Sequence, residues 1–155
     1  MQQNLARQTL TIAFFALLVA AMTPSAQAAN CSAATVKGDW ALTLSGTLLL
    51  PTGSVPVAAV VRATLNLDGT VTGGEARTVG GEYADETLSG TYSVNSDCTG
   101  SATVNFYEAG QLVRTSVLAM VFDDNSKQVR MVQKSLTLPD GTQLPVVILV
   151  EGKRQ

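Results

Sequence analysis

The sequence predicts an all-β fold, an eight-stranded antiparallel up-and-down barrel, on three observations. Apolar and polar residues alternate with a period of two over most of the chain, which is typical of strands with one buried face. Short turns rich in Gly, Asp, Asn and Pro join these segments. No amphipathic helix is evident. Short connections favour a meander, which closes into a barrel without exposed edges; a sandwich is the alternative.

The chain is organised around a hairpin at residues 86–107. Its arms, 87–95 and 101–107, alternate apolar with polar side chains, and the turn between them holds Asn95, Asp97 and Gly100. These residue types accept a positive φ or hydrogen-bond their own backbone, so the chain reverses here. The other strand candidates extend this hairpin on both sides: 36–50, 55–67, 70–79, 111–123, 127–138 and 142–153.

The third strand is the weakest, because Gly73-Gly74 interrupts it. Such a pair predicts a bulge or a sharp bend. The second strand shows the cleanest alternation, and its Val57, Ala59 and Val61 are expected to point inward.

Two other strands, 111–123 and 142–153, are apolar on both faces. An outward apolar patch is therefore expected on them. It is made of Leu118, Met120, Phe122, Val147 and Leu149. A soluble monomer seldom leaves such a patch uncovered, so we predict a homo-oligomer or a partner bound through this surface.

Residues 1–28 resemble a secretory signal peptide. One charge, Arg7, precedes an apolar run over 9–22, and the segment ends in Ala26-Gln27-Ala28. The run of about 14 residues is shorter than the ~20 that a spanning helix needs, so we expect no membrane span. Cleavage after Ala28 would leave one domain, 29–155, in the periplasm or outside the cell.

Charge excludes one class of partner. The net charge is −2, and the basic residues are scattered along the chain, with Lys153-Arg154 the one adjacent pair. A nucleic-acid-binding protein would show a basic stripe, so no nucleic-acid partner is expected.

Cys31 and Cys98 are the two cysteines of the chain. In an exported protein this predicts a disulfide. A zinc site would have to recruit carboxylates, because the chain has no histidine. We therefore expect no metal, and a bridge that ties the mature N-terminus to the tip of the central hairpin.

Residues at the two ends of the barrel sequence carry a family resemblance. Gly38-Asp39-Trp40 opens the first strand, and Gly152-Lys153-Arg154 ends the last. This pairing resembles the calycins, the superfamily of lipocalins, avidins and fatty-acid-binding proteins. The resemblance implies that Gly38 and Trp40 close one barrel end with Arg154 across the indole. Counting by twos from Ile148 places Arg154 on the core face, in agreement. The alternative is an ordinary core Trp40 beside a frayed terminus.

A second pattern, Gly-Thr-Tyr-x-Val at 90–94 followed by Asp97-Cys98-Thr99-Gly100, is similar to small secreted bacterial barrel proteins, mostly uncharacterised. Some of them have been compared with the allene oxide cyclase barrel. That likeness implies a cavity for a reactive lipid-like molecule. The lipocalin signature around Thr-Asp-Tyr is missing from the chain.

The chain offers no evident catalyst. Without histidine, Ser or Cys would need Lys or a carboxylate as base, and the acidic pairs Asp85-Glu86 and Asp123-Asp124 adjoin turns. We expect no catalytic residue and no cofactor. The interpretation is a barrel that binds a small apolar ligand near Tyr92 or Phe106, at the end opposite Trp40. A packed structural or surface-interaction domain is the alternative, followed by a cyclase-like enzyme.

Overall fold

A computed structural model describes residues 30–123 and 125–155, and it confirms the predicted barrel. The eight-stranded antiparallel sheet closes on itself. The proposed signal peptide lies outside the described residues. Within the described ranges, no helix has both the length and the apolar character required to cross a membrane.

The elements follow one another as a meander. A short helix α1 precedes the strands, and the bounds are α1 Ala33–Val36, β1 Gly38–Leu50, β2 Gly53–Leu65, β3 Thr70–Val79, β4 Glu82–Val94, β5 Thr99–Glu108, β6 Gln111–Asp123, β7 Gln128–Thr137, β8 Gln143–Leu144 and β9 Val146–Arg154. Each strand from β1 to β7 pairs with the next. The sheet closes because β9 pairs with both β7 and β1.

The eighth barrel strand is divided at Pro145, which separates β8 from β9. Proline has no N–H to donate to a ladder. Its carbonyl still accepts from the N–H of Leu49 at 2.8 Å, so the segment stays attached to β1. The single strand predicted over 142–153 is therefore two short strands on one barrel position.

Helix α1 closes the barrel end at which β1 begins. The N–H of Ser32 donates to Oγ1 of Thr35 at 2.9 Å, which starts the turn. Val36, predicted as the first strand residue, is the last helical residue and is fully buried. A single turn leaves no 3.6-residue period in the sequence, and this explains why the helix was not predicted.

The predicted disulfide is present in the structure. Cys31 and Cys98 are bonded, and the N–H of Cys31 also donates to the carbonyl of Ser96 at 3.3 Å. The bridge fastens the segment before α1 to the β4–β5 turn. It thereby holds α1 against the barrel end.

Of the bulge or sharp bend predicted at Gly73-Gly74, the bulge is absent, because strand β3 runs through both residues without a register shift. Glycine is required at position 73 because a Cβ would lie 2.1 Å from the carbonyl oxygen of Arg62. The neighbouring strand backbone occupies the space that a side chain would need.

The predicted outward patch is wrong for three of its five residues. Met120 and Phe122 are buried, and Leu118 faces inward beside them. Both faces of β6 are apolar near its end, so periodicity could not fix which one points inward; packing of Phe122 on the first-strand tryptophan does. Val147 and Leu149 point outward as predicted, 61% and 59% exposed.

Candidate ligand-binding cavity

The barrel encloses a cavity of about 250 Å³. Most of its wall is aliphatic, and β1, β2, β7 and β9 provide the apolar side. Representative residues of that side are Leu42, Val61, Met131, Ile148 and Val150. An engineered cavity of ~150 Å³ binds benzene. The barrel therefore has room for a compact molecule larger than one benzene ring.

Trp40 forms the floor of the cavity. Its indole packs edge-on against Phe122 with ring centroids 5.6 Å apart, and its Nε1–H donates to the carbonyl of Val36 at 2.9 Å. Both side chains, Trp40 and Phe122, are buried, and α1 covers them from outside the barrel. The floor is therefore closed by packing and by a satisfied hydrogen bond.

Arg154 lies directly opposite Trp40 in the β1–β9 register. Its Nη1 donates to the carbonyl of Thr35 at 2.6 Å, and its Cδ lies 3.7 Å from where a Cβ on Gly38 would be. The structure thus brings Gly38, Trp40 and Arg154 together at the end sealed by α1. Stacking of the guanidinium on the indole stays a prediction.

The opposite half of the cavity wall, formed by β3 to β6, carries charge. Glu75 and Glu86 face each other across the β3–β4 register, and their side chains are 1% and 0% exposed. Arg114 reaches from β6 and donates to both carboxylates, Nη2 to Glu75 and Nη1 to Glu86. Arg77 donates its Nε–H to the second oxygen of Glu86. One half-buried arginine therefore bridges two buried acids.

One further contact, with Phe106, holds Arg114 in place. Its guanidinium carbon lies 3.8 Å from the centroid of the Phe106 ring, a cation–π geometry. Phe106 is opposite Arg114 in the β5–β6 register. Nearby, Gln133 donates to the hydroxyl of Ser116 at 2.9 Å, so a second polar pair on the wall satisfies itself.

The carboxylate of Glu75 is only half satisfied. Its Oε1 accepts from Arg114, whereas its buried Oε2 has no hydrogen-bond partner among the described residues. Burial raises the pKa of Glu75, and the neighbouring Glu86 carboxylate adds to the increase, while Arg114 opposes it. Glu75 lines the cavity, but Glu86 lies behind it with both oxygens occupied by arginines.

Of the two aromatic residues expected to contact a ligand, the structure places Phe106 in the cavity wall. Tyr92 is near the end of β4, on the same side as Trp40, and its hydroxyl donates to the carbonyl of Asn66 at 2.6 Å. The expected position of Tyr92 at the far end is therefore wrong. In a meander every even-numbered strand ends where β1 begins, which places Tyr92 at the closed end.

The charged cluster was not predicted from the sequence, although the alternation of inward and outward positions along the strands indicates it. Glu86 lies two residues before Leu88, Glu75 four residues after Val71, and Arg114 on the parity of Phe122. Counting by twos from these core residues would place all three charges inside. The position of Asp85-Glu86 beside a turn favours two solvated carboxylates; Asp85 is exposed, but Glu86 is buried.

The far mouth of the cavity is apolar and half-buried. Its rim is formed by Leu48, Val79, Leu138 and Leu144. Among the described residues no group of three or more His, Cys, Asp or Glu could hold a metal ion. The arrangement can bind a small apolar molecule and offer it one hydrogen-bond acceptor.

Comparisons with known proteins support the fold. No family model and no curated protein matches the chain. One similar solved structure is a redesigned β-barrel, mFAP1, bound to DFHBI, with 16% sequence identity over 79% of this chain and 98% of that chain, and a TM-score of 0.50. Another is EF1p2_mFAP2b bound to DFHBI, with 13% identity over 80% and 97% of the two chains, and a TM-score of 0.54. At these identities the likenesses extend to the barrel fold alone.

Proposed function

We propose that the protein binds a small, mainly apolar molecule inside its barrel. The observation that carries this proposal is the cavity of about 250 Å³, closed at one end by Trp40 and lined largely by aliphatic side chains. A well-packed interior would leave no space of this size. The similar solved barrels were determined with DFHBI bound, which supports a binding role for a barrel of this kind.

We assign the ligand's path to the mouth opposite Trp40. The floor is covered by α1 and fastened by the Cys31–Cys98 bridge, whereas the far rim has no covering helix among the described residues. Binding is proposed in preference to catalysis, because both acids of the cluster already pair with arginine. Relationship to the calycin superfamily by descent is part of the same proposal.

The experiment is a calorimetric titration of the protein with naphthalene. The test variant is Ala59→Leu, which places a larger side chain at a buried position on the cavity wall. The matched control is Ala58→Leu, the same substitution at the adjacent outward position. The wild type and the control should bind naphthalene, and Ala59→Leu should bind it more weakly.

The outcome against the proposal is the absence of naphthalene binding in the folded wild type. Native mass spectrometry of protein isolated from the cells that produce it adds an independent test. A retained small molecule, released on unfolding, would support the proposal and give the class of compound.

Export belongs to this proposal. A disulfide suits an oxidising compartment, and the amino-terminal segment has the composition of a signal peptide. We propose that the mature chain begins at Ala29 and acts in the periplasm or outside the cell. Amino-terminal sequencing of the mature protein tests this; retention of residues 1–28 would contradict it.

A second candidate function is interaction through the barrel's outer surface. Val132 and Leu149 are neighbours in the β7–β9 register, and both are exposed, as is Val147. A contiguous outward apolar patch of this kind favours contact with another protein. This surface and the cavity lie on opposite sides of the sheet, so the two functions are separable by mutation.

A further inference from the structure

We propose that the cavity selects an uncharged apolar molecule bearing a single hydroxyl group, and that this hydroxyl donates a hydrogen bond to Oε2 of Glu75. The inference rests on the proposed function and specifies its ligand. It requires a free acceptor in the cavity wall, a local charge balance that disfavours an ionic ligand, and a remaining wall that is mainly aliphatic, with polar side chains that hydrogen-bond one another. Each is present.

The free acceptor is Oε2 of Glu75. The side chain is 1% exposed, and it belongs to the cavity wall. Arg114 occupies Oε1, and no residue in the described ranges donates to Oε2. A buried carboxylate oxygen without a donor is unfavourable and uncommon in folded proteins. A ligand that supplies the missing donor removes this deficit and is bound more tightly for that reason.

The rest of the cluster is already paired. Glu86 accepts from Arg77 at Oε1 and from Arg114 at Oε2. Two carboxylates and two guanidiniums balance one another within the wall. An ammonium or carboxylate ligand would add an uncompensated charge to this low-dielectric site, which is costly. An uncharged donor avoids that cost.

The remaining wall explains why one polar group is expected. Gln133 and Ser116 hydrogen-bond each other, and the strands opposite Glu75 contribute aliphatic side chains such as Val61 and Ile148. A second polar group on the ligand would be buried without a partner. Phenols and alicyclic alcohols of one or two rings have the required size and polarity.

Three probes of nearly equal shape test the inference: naphthalene, 2-naphthol and 2-methoxynaphthalene. They offer no polar group, a donor, and an acceptor only. Calorimetry on the wild-type protein at neutral pH should show 2-naphthol binding roughly tenfold or more tightly than 2-methoxynaphthalene, as one satisfied buried hydrogen bond predicts. This comparison requires no mutation, so it does not depend on a variant that folds.

The variant Glu75→Gln adds a second measurement. An amide keeps an acceptor for Arg114 and places N–H donors where Oε2 was. The preference for 2-naphthol should therefore fall to about twofold or less, and 2-methoxynaphthalene should gain. Glu108→Gln is the matched control. Like Glu75, Glu108 pairs with an arginine of the cluster, here Arg77 at 3.8 Å, but its side chain is half-exposed. Its substitution should leave the preference unchanged.

The possible results separate the two proposals. Equal binding of the three probes to the wild type would overturn this inference and leave the proposed function standing. Equal binding of 2-naphthol and 2-methoxynaphthalene, both above naphthalene, would show that Glu75 carries a proton and donates it, which also overturns the inference. Failure of all three to bind the folded protein would overturn both proposals.

Discussion

Replacement of Arg114 by methionine should destabilise the barrel severely at neutral pH. Arg114 is the residue that bridges Glu75 and Glu86, whose side chains are 1% and 0% exposed. Without it, and among the residues that the structure describes, Glu75 loses the one hydrogen-bond donor to its carboxylate and Glu86 keeps only Arg77. Removal of one partner from a buried ion pair costs about 3 to 5 kcal/mol. Loss of the contact with Phe106 adds to this.

The control for this prediction is Arg130→Met. Arg130 pairs with Asp123 at 3.1 Å on the outside of the barrel, where its side chain is 68% exposed. Exposed pairs contribute about 0 to 1 kcal/mol. Urea unfolding of the two oxidised variants, followed by circular dichroism, gives both free energies of unfolding. A loss below about 1 kcal/mol in Arg114→Met, equal to the control, would refute a buried network.

The pH dependence of Arg114→Met has a defined sign. Burial and Glu86 raise the pKa of Glu75, and Arg114 opposes this, so the variant should raise that pKa further. A carboxyl whose folded pKa exceeds its unfolded value lowers stability as pH rises from the unfolded pKa through the folded one. Arg77 and Glu108 are unchanged nearby. The difference in free energy of unfolding between the wild type and Arg114→Met should therefore shrink as the pH falls toward 4.5, the ordinary pKa of Glu75.

Three further results are expected. Replacement of both cysteines by serine should lower the free energy of unfolding by roughly 4 kcal/mol, because the bridge closes a long loop; an unchanged urea midpoint would contradict a stabilising bridge. Trp40→Ala should lower the free energy of unfolding by about 3 to 5 kcal/mol, and Arg154→Ala should lower it by about 1 kcal/mol. A double-mutant cycle should show that the two losses are coupled. If the two losses simply add, the two side chains do not interact. Sedimentation should show self-association that Val147→Thr with Leu149→Thr abolishes; a wild-type monomer at high concentration would count against the homo-oligomer.

The strand pattern was predictable because period-two alternation and turn residues are local properties. The sequence places β3 and β6 at their observed bounds, and the predicted partnership of first and last strands appears in the register that sets Trp40 opposite Arg154. Parity from Ile148 identifies the inward face of β9 correctly, since Ile148 and Val150 are both buried. Closure follows from these features without further information.

The inward charges and the inward face of β6 were not predictable by the same means. Where both faces of a strand are apolar, alternation does not choose between them, and contact of Phe122 with Trp40 decides the orientation. Glu75, Glu86 and Arg114 are separated by up to 39 residues in sequence. Their mutual pairing depends on which strands become neighbours, so each charge alone appeared to be a solvated residue.

The proposal that a ligand binds inside the cavity is tested most directly by methyl NMR. Residues 30–155 contain two methionines, Met120 and Met131, and one isoleucine, Ile148, and all three side chains line the cavity. Selective labelling of these methyl groups therefore gives three interior reporters, and labelled Val147 and Leu149 report the outer surface. Saturation with naphthalene should shift the interior signals and leave the outer ones in place. Shifts confined to the outer residues, with the interior signals unchanged, would contradict ligand binding inside the barrel.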